Sequence, residues 1–194
     1  MKSTGNDWVL IYRQSKECQR AAWPRHKQSC KAASKMSNPR QEASESLRAF
    51  TDKHHKVLSG CAKRALRLDV DLERAFDNVF IISLKRRPGA TQTRNAWIVR
   101  EAFAAPFEYL APILPEESSA SVLKTNLRAA RERELLECPS YTGILMTFLI
   151  DYDTGASYHM TYTFNPALFI PNASPWDVML RACVNDGRRA PLGW

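Results

Sequence analysis

The chain has 194 residues, is 44% hydrophobic and 25% charged, and holds only 7 Gly and 11 Pro, which excludes full disorder, a collagen-like repeat and a low-complexity chain. Its apolar runs, such as Val79–Ile82 and Gly143–Ile150, fall short of the ~18 residues that span a bilayer, so no membrane segment is expected. The formal net charge is +8, and it is uneven: residues 1–65 carry 14 Lys and Arg against 5 Asp and Glu, a net of +9, while the remainder nets −1.

In chain order, Met1–Asp7 leads into no apolar h-region, so the expectation is an intracellular chain, nuclear or cytoplasmic, that is not secreted. Trp8–Tyr12 (WVLIY) reads as a short strand, and Arg13–Lys35 as a basic, polar segment. Ser37-Asn38-Pro39 is a turn and a boundary. From Arg40 the pattern becomes helical. Leu47, Phe50, His54, Val57, Leu58, Cys61, Ala65 and Leu68 fall mostly at spacings of three and four and form one apolar stripe, with Ser37 or Asn38 as N-cap. Asp69–Phe76 reads as a further short helix.

Asn78–Leu84 (NVFIISL) reads as a strand buried on both faces, ended by the turn Lys85–Gly89. Ala96–Phe103 reads as a second strand. Pro106, Pro112 and Pro115 make the next stretch irregular, and Ser121–Glu137 reads as a helix in which Val122, Leu127, Ala130, Leu135 and Leu136 interleave with charges. Thr142–Tyr152 and Ala156–Phe164 flank Asp153-Thr154-Gly155, the pattern of a β-hairpin. Ser174, as N-cap, and Pro175, as first helical residue, open a last helix that ends near Gly187. The fold expected is α+β, in two parts. Residues 1–36 are expected to form a small helical N-terminal segment, whose zinc-finger-like character rests on the cysteine and histidine spacing within it, and residues 37–194 a mixed α+β body with a β-hairpin.

Five cysteines, an odd number and widely scattered, argue against a disulfide framework. Cys61, Cys138 and Cys183 read as buried thiols. Cys18, His26 and Cys30 are different, because they have the spacing C-x7-H-x3-C. His26 and Cys30 lie four apart, so on a helix they share one face and can grip one ion. Thiolate plus imidazole favours Zn²⁺, and the basic surroundings favour thiolate. A closed structural zinc site takes four ligands, so these three fall short.

The segment S-K-E-C-Q-R-A-A-W-P-R-H-K-Q-S-C resembles the C-terminal half of the MYND-type zinc finger of eukaryotic proteins. Ser15, Cys18, Gln19, Trp23, His26, Lys27 and Cys30 all fit its pattern. The resemblance implies that Cys18 belongs to one zinc site, and His26 and Cys30 to a second that interleaves with it. It departs at Gln14, where the family has a cysteine, and residues 1–13 contain no cysteine. Weak zinc affinity is the expectation, either for a half-finger or for an abbreviated version of a longer protein. The family's fingers usually dock short proline-containing peptides. The resemblance thus implies a zinc-ion-binding, protein–protein interaction (adaptor or regulatory) protein, with Trp23, Arg25 and Lys27 as the contact surface. The alternative is a nucleic-acid-binding module that uses the basic N-terminal third.

No enzyme signature stands out. There is no Gly-rich phosphate loop, no G-x-S-x-G and no H-E-x-x-H. The methyltransferases that carry such fingers need an N-H-S-C-type segment, which is missing here. Asp151 and Asp153 read as caps of the hairpin mouth, and His159 could face either of them across it. His54 and His55 read as one half-buried and one exposed histidine. Lys85-Arg86-Arg87, Arg131 with Arg133, and Arg188-Arg189 read as solvated edges.

Overall fold

The computed structural model describes residues 38–90, 95–114, 119–137, 143–168 and 175–189. The finger-like segment, the Trp8–Tyr12 strand, Ser37, Cys138 and Ser174 all lie outside them. The body is α+β. Its elements run α1 (Asn38–Ala65), α2 (Arg74–Asp77), β1 (Asn78–Arg86), β2 (Trp97–Pro106), α3 (Ala120–Glu137), β3 (Gly143–Asp151), β4 (Ser157–Phe164) and α4 (Trp176–Val184), with a 3-10 turn at Phe107–Leu110.

The four strands form one mixed sheet in the order β2-β1-β3-β4. β1 pairs antiparallel with β2, and β3 antiparallel with β4, as two hairpins. β1 and β3 pair in parallel at the centre, Phe80 opposite Thr147 and Leu84 opposite Asp151. A parallel pair needs a crossover, and α3 lies on that connection.

Side chains of a strand alternate between faces, and both faces of the two central strands are covered. Phe80, Ile82 and Leu84 of β1, with Leu145 and Leu149 of β3, pack under α1 and α4. Val79 and Ile81, with Ile144, Met146 and Phe148, pack under α2, α3 and the 3-10 turn through Phe76, Leu123, Leu127, Phe107 and Leu110. The result is a three-layer sandwich. It accounts for the unbroken apolar runs of β1 and β3, which a one-sided sheet would interrupt with polar residues.

The α1 stripe is buried at Leu47, Phe50, Val57, Leu58 and Cys61. Asn38 is the first residue of the helix rather than a cap outside it. Trp97 is sealed beneath α1, and its indole Nε1–H donates to Ser46 Oγ at 3.0 Å. Arg40 reaches across to the β3–β4 turn and donates to Thr154 O at 3.2 Å. Gly143 is required by packing: a Cβ there would collide with the ring of Phe164 opposite it on β4.

Three expectations change. In α3 the buried residues are Leu123 and Leu127, while Val122 and Leu136 face solvent. Asp69–Phe76 is mostly turns, with helix only from Arg74. Pro175 stands at the N-cap position of α4, one place before the first helical residue. The helix ends at Val184. Gly187, at φ +72°, reverses the chain so that Arg188 N–H donates back to Ala182 O at 3.0 Å.

Candidate functional site

Cys18, His26 and Cys30, the metal ligands implied by the finger resemblance, and Trp23, Arg25 and Lys27, its contact residues, lie outside the described residues. Among the described residues, no group of three or more His, Cys, Asp or Glu is arranged to hold a metal ion. Cys61 and Cys183 are free, buried thiols, as expected. Burial pushes the Cys61 thiol up to about 12, and its Sγ–H points at Trp176 O at 3.4 Å, so it is a packing group and not a ligand or nucleophile.

Asp151 is fully buried at the hairpin mouth. It accepts the Asp153 N–H at 3.0 Å and the Thr154 hydroxyl, and its own N–H donates to Ala156 O at 2.8 Å. This is an Asx-type turn that fixes the loop. Asp153 is exposed, so the two carboxylates do not share a site. His159 faces neither of them. It sits opposite Phe148, on the face away from Asp151, with its ring stacked on Phe148 at 6.0 Å between centroids. The strand alternation that puts Asp151 under α1 puts His159 on the α3 side. The cross-hairpin pairing read from sequence is thereby excluded.

His54 is half-buried and His55 exposed. The His54 ring lies 4.7 Å from that of Phe50, and desolvation, with Lys53 beside it, lowers its pKa to about 4, so it is neutral at physiological pH. It lines a cleft of about 530 Å³ beyond the carboxyl end of β1, together with Lys53, Arg87, Asn95, Trp97 and Asn185. Clefts at strand carboxyl ends commonly take ligands. Here the polar groups are already engaged. Lys53 Nζ donates to Asn95 Oδ1. Arg87 donates to Asn185 O at 2.9 Å and Val184 O at 3.4 Å, closing the carbonyl end of α4. Asn185 is bound to Val99, accepting its N–H at 2.8 Å and donating to its carbonyl at 3.3 Å.

The basic clusters divide. Arg87 is a helix cap and not a solvated edge, and Arg86 lies over the Trp97 ring at 5.2 Å. Arg131 pairs with Glu73 at 2.7 Å and lies over Phe76 at 5.2 Å, so it joins α3 to α2. Arg133 and Arg188 stay on the surface.

Arg181 and Asn185 escaped the sequence reading. Arg181 donates to Val99 O at 3.1 Å and Arg100 O at 2.9 Å, so with Asn185 it covers the outer edge of β2. Their only sequence signal was position, on the last turn of a helix and just past it.

No helix among the described residues is long and apolar enough to cross a membrane. No family model, no curated protein and no solved structure matches the chain.

Proposed function

We propose that the chain is a non-enzymatic protein–protein interaction protein, adaptor or regulatory, whose N-terminal segment resembles half of a MYND-type finger. The supporting observation is the run of seven typed positions, Ser15, Cys18, Gln19, Trp23, His26, Lys27 and Cys30, within sixteen residues. In this reading Cys18, His26 and Cys30 hold Zn²⁺ weakly, because each of the two interleaved sites lacks ligands. Trp23, Arg25 and Lys27 then present a basic, aromatic face to a short proline-containing peptide. The +9 of residues 1–65 becomes the charged face of an interaction segment, and the near-neutral remainder its folded support.

Two measurements test this. Zinc analysis of the purified chain is expected to show loss of metal to a mild chelator; a full equivalent retained would refute the weak site. Affinity capture is expected to recover partners with wild type and to lose them with Trp23→Ala; identical recovery would refute the contact surface. The same +9 supports the alternative of nucleic-acid binding. That reading requires affinity to fall steeply with salt, with a log–log slope of about −0.9 for each phosphate neutralised on duplex. No binding at low salt removes it.

A further inference from the structure

Among the described residues β4 is an edge strand, and its outer side has a definite chemical character. Asp151 N–H donates to Ala156 O, and the β3–β4 register runs without a shift from Ile150–Ser157 to Gly143–Phe164. Hydrogen-bonded pairs alternate in an antiparallel ladder. Tyr158, Met160, Tyr162 and Phe164 therefore turn their backbone groups toward β3. Ser157, His159, Thr161 and Thr163 turn theirs outward, and among the described residues no backbone group pairs with them.

The two edges of the sheet are treated differently. Edges left open invite pairing with another strand, and proteins blunt them with charge, proline, bulges or a covering element. β2 has all of these: a register irregularity opposite Ser83/Leu84, charged Arg100 and Glu101, terminal Pro106, and the Arg181–Asn185 cover over Val99. β4 reads SYHMTYTF, with no Lys, Arg, Asp, Glu or Pro and no bulge. Burial keeps the His159 imidazole neutral at physiological pH, so it adds no charge to the edge.

The strand is also nearly its own complement. About Met160 its sequence is quasi-palindromic, with Tyr158 matched by Tyr162, His159 by Thr161 and Ser157 by Thr163. We propose that β4 pairs antiparallel with β4 of a second copy of this chain, about a two-fold axis at Met160, to give a continuous eight-stranded sheet. Under that axis the outward-facing residues of one copy meet those of the other in register: Ser157 meets Thr163, and His159 meets Thr161. About eight backbone hydrogen bonds form, two for each of the four facing pairs. Tyr158 of each copy lies across from Tyr162 of the other, and the hydroxyl and aromatic cross-strand pairs are of the kind that stabilises sheets. An unrelated strand could satisfy the backbone. The internal symmetry is what selects a second copy, because an isologous interface requires one patch to match itself. This inference is independent of the finger reading.

Sedimentation equilibrium of the full chain, across a concentration series, is expected to show a monomer–dimer equilibrium. Charge at positions 159 and 161 tests the register. The variant His159→Lys with Thr161→Lys sets like charges opposite each other twice about the axis, and so does His159→Glu with Thr161→Glu. Each alone is expected to weaken dimerisation by at least about tenfold. An equimolar mixture of the two is expected to restore a dimer containing one of each. Circular dichroism checks that both remain folded. Hydrogen exchange of wild type needs no variant: protection of the His159 and Thr161 amides is expected to rise with concentration. A wild type that stays monomeric, a dimer indifferent to the lysine variant, or amides protected equally at every concentration would overturn the proposal.

Discussion

Thr147 lies at the centre of the sheet on the α1 side, fully buried, between Phe80 on β1 and Met160 on β4. Its Oγ1 is buried with no hydrogen-bond partner among the described residues. An unsatisfied buried hydroxyl costs roughly 1–3 kcal/mol, whereas a methyl in the same place costs little. Thr147→Val replaces one with the other while keeping the β-branch that suits a strand. Part of the gain is offset by imperfect shape, since the swap is not strictly volume-conserving. The net expectation is a stabilisation of about 1 kcal/mol. For a chain of this size that raises Tm by about 2–4 °C. Urea unfolding followed by tryptophan fluorescence measures it directly, and an unchanged m-value shows that the effect is on stability and not on compactness. Tyr162→Phe is the companion. The Tyr162 hydroxyl is also buried without a partner among the described residues, and desolvation raises its pKa strongly. Its removal is expected to be neutral or stabilising. A loss of more than about 1 kcal/mol for Thr147→Val would show that the hydroxyl is satisfied in solution, and would refute the reasoning.

Three further outcomes are expected. Asp151→Ala removes the acceptor for Asp153 N–H and the Thr154 hydroxyl inside a closed turn; a loss of about 2 kcal/mol in chemical denaturation is expected, and a neutral result would show that the loop holds itself. Asn185→Ala frees the Val99 N–H, while Val99 O keeps Arg181, and is expected to cost about 1–2 kcal/mol and to speed hydrogen exchange at the Val99 amide; unchanged exchange would contradict the edge cover. His54 and His159 are each held at about 4, below the ordinary 6.5, by burial first and, for His54, by Lys53 second. The unfolded chain therefore takes up protons before the folded one. This contribution to stability is complete above pH 6.5 and declines as pH falls toward 4. Both residues keep some exposure to solvent, so the effect is taken as about 1 kcal/mol each after screening. Replacing both with Gln should flatten the slope of the urea midpoint between about pH 6.5 and pH 5, and a slope that persists would assign it to other groups.

Much of the body was legible where local pattern decides structure. The β3–β4 hairpin could be read because Thr and aromatic residues are dense on its arms and Gly155 supplies the positive φ, +66°, that the turn needs. The two-sided burial of β1 could be read from its unbroken apolar run. Elsewhere the tertiary partner decides. β2 runs on to Pro106 because Val79 and Asn78 pair with Ala105 and Pro106. In α3 the phase is set by the layer of Phe76, Phe107 and Phe148 beneath it, which favours Leu123 and Leu127 over Val122 and Leu136. The role of Arg87 depends on the end of α4, nearly a hundred residues away. The side of the sheet taken by His159 follows from a one-residue register choice, which flips every side chain of the strand. Of the candidate sites, the finger resemblance rested on residues 15–30 alone, and the body neither strengthens nor weakens it.

The position of α1 has a consequence for how the chain acquires its structure. The helix comes first among the described elements, yet its apolar stripe is covered by strands and a helix made much later. Arg40 meets Thr154 across 114 residues, and Cys61 meets Trp176 across 115. Loop closure over such distances slows folding, because its entropy is lost before the contacts form. During synthesis Leu47, Phe50, Leu58 and Cys61 emerge early and are covered only in part, by β1 and Trp97, until β3, β4 and α4 follow. A nascent chain stopped after β2 would hold one hairpin, an amphipathic helix that the hairpin covers only in part, and no second core strand. Apolar surface left open in this way favours aggregation of folding intermediates, and β3, β4 and α4 are the elements that close it.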